Sequence, residues 1–298
     1  MSAWKKIAVV AAAVVLVACL VSPVLYMAMR ENSGLPGWMT GHPFHRYFSR
    51  TIQVTALAGA LLLVFWLGVR RLSDLGLEVG TRFWKDLLAG VGCALVPGAV
   101  MAAGLVYFGV FKFRGELEMH AWLRIAATAG AVSIVEELIF RGLLLGLLLR
   151  AMRRWAAVVT VSGIFAVVHF LRPTRTVTDT VTWTSGFEQA LTVFHAWPPW
   201  PQWAWGLGTL FFAGLLLGWT VLRTRTLWLA IGLHAGWILT QQGFNWLAMP
   251  VSRYADDILP WYGPRLVSGV VPTGLLPLLA LGAAWLLAAL CLAKIGKR

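Results

Sequence analysis

The chain has 298 residues, of which 59% are hydrophobic and only 12% charged, and its mean hydropathy is +0.75. A water-soluble domain carries about 25% charged residues, so an ordinary soluble enzyme is excluded. The net charge of +13 does not point to nucleic acid, because the basic residues lie mostly in short joints between apolar segments, where they orient a membrane protein.

A membrane-crossing helix takes about 20 apolar residues. Eight segments approach or exceed that length: 7–29, 51–69, 88–110, 121–149, 155–171, 205–222, 227–248 and 272–293. They predict an all-α, polytopic bundle of about eight spanning helices, forming one integral membrane domain over 1–298 in contact with the lipid bilayer. No internal repeat or low-complexity tract interrupts them.

The first segment follows Lys5-Lys6 and contains Leu16-Val17-Ala18-Cys19, which resembles a lipoprotein cleavage site. Leu20 to Met29 beyond it is still apolar, so the segment reads as an uncleaved first helix. Cys19, Cys93 and Cys291 all fall in apolar segments and imply no disulfide framework. The joint 70–87 mixes apolar and charged residues at helical spacing, and reads as a connecting helix along the membrane interface. The stretch 172–204 reads as a loop, polar at first and then rich in proline and aromatics, with Trp197, Trp200, Trp203 and Trp205 crowding its end. The joints on the amino-terminal side of the membrane hold more basic residues than the opposite ones. That bias puts both termini in the cytoplasm, and the expected location is a bacterial inner membrane.

The fourth segment breaks the apolar pattern with Val135-Glu136-Glu137-Leu138-Ile139-Phe140-Arg141. A charge at membrane depth costs at least ~2.5–3.5 kcal/mol, so such residues usually face a protein interior and do something there. On a helix, Glu137 and Arg141 are four apart and share a face, which allows a structural pair. Glu136 lies about 100° round, so it can point elsewhere as a general base. His169 closes Phe165-Ala166-Val167-Val168-His169, and His234 sits in Gly232-Leu233-His234-Ala235-Gly236, where small residues admit close helix packing.

Glu136, His169 and His234 form a two-histidine, one-carboxylate set. Such a set can bind zinc and leave a position for water. It can also work without metal, with Glu136 as base and a histidine polarising the attacked carbonyl. The same groups would serve a transporter as a proton relay, although the paired halves with broken helices common in carriers are not evident. A non-proteolytic membrane scaffold that keeps the fold without the chemistry is the third possibility, and a buried network of Glu136, Glu137 and Arg141 that only fixes packing is the plainest reading of those three charges.

The order Glu136-Glu137-x-x-x-Arg141, Phe165-x-x-x-His169 and His234 resembles the CPBP (Abi) family of CAAX prenyl endopeptidases and bacteriocin-processing intramembrane proteases. The resemblance runs over about 74–246. It implies a helical membrane hydrolase cutting peptide or protein substrates, with Glu136 and His169 activating water and His234 holding the oxyanion or a metal. Glu137, Arg141 and Phe165 complete the motifs. Many members have asparagine four residues after the third-motif histidine. Here that position is Ile238, so Gln241, seven after His234, is the candidate helper, with Asn245 one turn further.

Straight helices place Glu136 and His169 ~20 Å above their cytoplasmic ends but His234 only ~10 Å. The three can meet only if helices are tilted, shifted or shorter than the hydropathy suggests.

Overall fold

A computed structural model describes the chain outside residues 1–2, 32–33, 35–36, 67, 70, 115–117, 172–179, 195–198, 252–257, 264–272 and 296–298. Its helices in chain order are α1 (Ala3–Glu31), α2 (Gly37–Thr40), α3 (Phe44–Trp66), α4 (Phe83–Tyr107), α5 (Met119–Glu137), α6 (Gly146–Ala151) and α7 (Arg154–Val168). Then come α8 (Ser185–Leu191), α9 (Trp200–Thr224), α10 (Trp228–Leu247) and α11 (Leu275–Ile295). A π-helical stretch, Leu138–Leu145, joins α5 to α6. Two short strands, β1 (Phe111–Phe113) and β2 (Ala248–Pro250), pair antiparallel with Lys112 opposite Met249.

The fold is all-α and polytopic, and each of the eight apolar segments falls largely within helix. Five of them, α1, α3, α4, α9 and α11, are long and apolar enough to cross a membrane by length and composition. The remainder fall short for visible reasons. Helix α7 has 15 residues, Arg124, Glu136 and Glu137 interrupt α5, and His234, Gln241, Gln242 and Asn245 dilute α10.

Two joints differ from expectation. The 70–87 joint is not a connecting helix: only Leu72–Leu75 turns, as a single 3-10 turn, and α4 starts at Phe83. Gly76 at φ +77° reverses the chain there, a conformation that side chains disfavour. Leu75 is buried and anchors the joint, while Arg71, Ser73, Asp74 and residues 78–82 are exposed. The 172–204 stretch holds α8 and a 3-10 turn, Thr192–Phe194. Its segments 172–179 and 195–198, with Trp197, lie outside the described residues, while Trp200 and Trp203 stack at 5.2 Å at the start of α9.

The chain divides into two compact units, Met1–Arg70 with Val168–Trp197, and Arg71–Val167 with Pro198–Arg298. In the first, α1 packs along α3. A methyl group on Gly59 would collide with Val10 and Val14, and one on Gly186 with the Cys19 carbonyl. Ala18, Cys19 and Phe48 form the buried centre of this unit.

In the second unit the main seam joins α4 and α10. Gly90, Gly232 and Gly236 leave no room for a methyl group against the facing backbone, the small-residue packing that membrane helices use. Gly232 and Gly236 turn one face of α10 towards α4. His234, between them in sequence, therefore turns the other way, towards α5. Around this seam Leu216, Leu217, Leu229 and Leu233 are fully or almost fully buried, against Ala284 and Ala288 of α11.

The start of α10 accounts for the mismatch in height between His234 and the carboxylates of α5. The Leu227 amide donates to the Gly76 carbonyl at 2.8 Å, and Leu227 is fully buried. Leu227 and Leu75 both pack on Gly142. Helix α10 thus starts level with Gly142, nine residues short of the end of α6. From Leu227 to His234 is seven residues, ~10 Å; from Gly142 back to Glu137 is five, ~8 Å. The two side chains come level because α10 begins inside the bundle.

Candidate active site

Glu136 and Glu137 close the last turn of α5, where the helix passes into the π-helical stretch. Widened turns of this kind recur at functional sites. The Arg141 guanidinium donates from Nη1 to Glu137 Oε1 at 2.9 Å, with both side chains fully buried. Its Nη2 lies 3.4 Å from the Gly214 carbonyl, where α9 passes close to α7: a methyl group on Gly214 would meet Ser162. The expected pair of Glu137 and Arg141 is therefore present.

Glu137 has a second partner that sequence reasoning missed. His234 Nδ1 lies 2.9 Å from the same Oε1. A carboxylate ion-paired with arginine only accepts hydrogen bonds, so His234 donates from Nδ1. Its Nε2 is left facing Glu136, whose Oε2 is 3.9 Å away. The 100° offset between neighbouring residues on α5 sets the two carboxylates at the two nitrogens of one imidazole. The Glu136 side chain is 28% exposed, whereas that of Glu137 is fully buried. Glu136 Oε2, the oxygen nearest His234, is itself buried, so the exposure of this side chain lies on its other atoms.

Phe165 explains its own place in the second motif. The Arg141 guanidinium lies over its ring at 4.4 Å, a cation–π contact. Phe140 meets it edge-on at 5.1 Å and His234 at 6.1 Å. The ring fills the space between the cation and the imidazole and holds both in orientation. The sequence signal for this was the Phe-x-x-x-His spacing; the contacts themselves could not be read from it.

The structure thus brings Glu136, Glu137, Arg141, Phe165 and His234 together within the second unit. His169 directly follows α7, is half-buried, and belongs to the first unit. Gln241 is half-buried on α10. Gln242 and Asn245 line a cleft with Arg114 and Arg124. Among the described residues, no three His, Cys, Asp or Glu side chains are grouped as a metal site would group them.

Residues 118–240 match the family model of type II CAAX prenyl endopeptidase, Rce1-like. This is the family the motifs resemble. The matched stretch contains Glu136, Glu137, Arg141, Phe165, His169 and His234, and it ends one residue before Gln241. No curated protein and no solved structure matches the chain. The family is one of proteases. Together with five helices of membrane-crossing length, the match supports an integral membrane enzyme acting on peptides.

Proposed function

We propose that the protein is an intramembrane endopeptidase of the CAAX-protease type that works through Glu136 and His234 without a metal. The observation that carries this reading is the line Glu137–His234–Glu136. An ion-paired carboxylate orients an imidazole, and the imidazole faces a second, more exposed carboxylate. Two atoms 3.9 Å apart can both reach one water at hydrogen-bond distance.

In this reading Glu136 takes a proton from that water, and the hydroxide formed attacks the peptide carbonyl. Protonated His234, held by Glu137, donates from Nε2 to the developing oxyanion. Glu136 then returns its proton to the leaving nitrogen as the C–N bond breaks. Arg141 fixes the Glu137 carboxylate in place. On the family resemblance alone, His169 assists Glu136 at the water.

The test is cleavage of a farnesyl-cysteine peptide by purified protein in detergent. The wild type should release the residues beyond the cysteine, and Glu136→Gln should not, while still binding the peptide. A wild-type protein that binds the peptide without ever cutting it would remove the endopeptidase reading and favour a carrier or scaffold.

A further inference from the structure

Ser133 stands one turn before Glu136 and Glu137 on α5. Its side chain is fully buried, and its hydroxyl makes no protein hydrogen bond among the described residues. Thr128, Ser162, Thr209 and Thr240, also on helices of the second unit, each donate to the carbonyl four residues earlier at 2.7–2.8 Å. That is a common way for a helix to satisfy a hydroxyl, and Ser133 does not use it.

Packing does not account for this oxygen. The buried residues of α5 recur every fourth position, from Ala121 through Ile125, Ala129 and Ser133 to Glu137. Ala121 and Ala129 on that stripe are buried as deeply as Ser133. Alanine would fill the same place without burying an unpaired donor, which is costly inside a protein. A buried polar group of this kind calls for a function or an ordered water.

Helix geometry places Ser133 relative to the site. At about 100° per residue it precedes Glu136 by about 300° and Glu137 by about 400°, so its direction falls between theirs. The imidazole of His234 occupies the same interval, with Nδ1 at Glu137 and Nε2 towards Glu136. The seam between α5 and α10 is antiparallel: Glu137 meets His234, and a methyl group on Gly243 would meet the Trp122 ring. One turn back from Glu137 is therefore level with one turn on from His234, which sets Ile238 opposite Ser133. Isoleucine offers the hydroxyl nothing. Within one turn of Ser133 along α5, the polar side chains are Glu136 and Glu137.

Side chains three apart on a helix have Cβ atoms ~5–6 Å apart. One water closes such a gap at ~2.8 Å to each oxygen. Glu136 Oε2 is buried, like the Ser133 hydroxyl, and it lies 3.9 Å from His234 Nε2. A water between these groups is a single held molecule rather than part of the bulk solvent.

We propose that Ser133 is a catalytic residue whose Oγ holds the attacking water against Glu136, beside His234. The inference rests on the endopeptidase reading for the reaction itself. The water donates one hydrogen to Glu136 Oε2 and the other to Ser133 Oγ, and a lone pair is left facing the peptide carbonyl. Glu136 takes the first hydrogen as a proton. The second stays on the oxygen, and its bond to Ser133 keeps the new hydroxide aimed as it attacks. No proton moves to or from the serine.

The test is cleavage of a fluorescent farnesyl-cysteine peptide by purified protein in detergent. Binding is measured by anisotropy on the Glu136→Gln protein, with and without Ser133→Ala. Ser133→Ala should lower kcat ~10-fold, as for one lost hydrogen bond, and leave KM, Kd and the melting temperature close to their starting values. Ser133→Thr restores the hydroxyl and should recover most of the rate. If its extra methyl group lowers the melting temperature, Ser133→Cys is the second variant, and its rate should fall between those of serine and alanine. Ser162→Ala removes an equally buried hydroxyl that already has a partner and should leave kcat alone.

Full turnover in Ser133→Ala would overturn the proposal. So would a KM or Kd that rises as far as kcat falls, which would put the hydroxyl on the peptide. A melting temperature that drops with the rate in Ser133→Ala would make the serine structural. Adding Ile238→Asn to Ser133→Ala should not restore the rate; restoration would make Ser133 an oxyanion donor instead. A wild type that never cuts the peptide removes the endopeptidase reading and this role with it. A wild type that cuts, matched by Ser133→Ala, removes this role alone.

Discussion

One oxygen of Glu137, Oε1, lies 2.9 Å from His234 Nδ1 and 2.9 Å from Arg141 Nη1. Glu137 thus joins a cation that stays charged to an imidazole that can gain or lose a proton. Its other oxygen is buried without a protein hydrogen bond among the described residues, so a single atom links the packing of the bundle to the orientation of the candidate active site.

Replacing Glu137 should therefore damage stability before chemistry. Glu137→Ala strands the fully buried Arg141 charge, which costs ~3–5 kcal/mol. Glu137→Gln keeps the one oxygen that accepts both bonds but loses the charge opposite Arg141, and should cost less. Thermal unfolding in detergent should rank wild type above Gln and Gln above Ala. An Ala variant as stable as wild type would show that Arg141 is satisfied elsewhere.

Glu136 should behave in the opposite way. Its side chain is 28% exposed, so Glu136→Gln should leave the melting temperature close to wild type. Loss of a general base typically costs ~10²–10⁴ in rate, and kcat should fall by that much while KM changes little. Retention of full turnover would mean that the base is another residue.

Much of this pairing was legible in the sequence. The i, i+4 spacing of Glu137 and Arg141 encodes their contact, because it depends only on local helix geometry. The run of charges in an apolar segment marked the site. The contact with His234 was not legible, since it depends on where α10 begins, and that is set by Leu227 bonding to Gly76 across the fold. The 70–87 joint misled for a related reason: its apolar spacing suits a helix, but Gly76 and Gly80 end any helix there, and Leu75 is drawn into the core. Arg114 read as a joint residue because its placement needs the three-residue β1–β2 pairing, too short to stand out as a pattern.

Glycine substitutions separate the packing faces. A methyl group at Gly232 would collide with the Leu87 carbonyl and meet Gly90, whereas Gly146 has nothing within 4 Å. Overpacking costs ~1–3 kcal/mol, and alanine gains up to ~1 kcal/mol over glycine in a helix. Gly232→Ala should lower folded yield and loosen the placement of His234. Gly146→Ala should be neutral or slightly stabilising. Size-exclusion profiles and melting curves of the two variants would decide this, and equal behaviour would contradict the close α4–α10 seam.

Metal removal tests the chemistry directly. If Glu136 and His234 act without a metal, as proposed, dialysis against a chelator should leave the cleavage rate unchanged, and metal analysis of active protein should find well under one zinc per chain. Activity lost on chelation and restored by zinc would return Glu136, His169 and His234 to the role of ligands.

The position four residues after His234 bears on the oxyanion. Losing one donor at such a site typically costs ~10²–10³ in rate, and Ile238 has nothing to donate. By helical spacing Ile238 follows His234 on the seam towards Gln242 and Asn245, which line the arginine cleft. Thr240 is turned the other way, against Gly98 of α4. Gln241, half-buried at the edge of that stripe, remains the carboxamide best placed to assist His234. His234→Ala should abolish turnover, and Gln241→Ala should reduce kcat severalfold without lowering the melting temperature. Ile238→Asn should then add little, because the donor is already supplied. If Gln241→Ala were silent while Ile238→Asn raised the rate, the oxyanion site of this chain would be incomplete, and a weak or non-proteolytic role would describe it better.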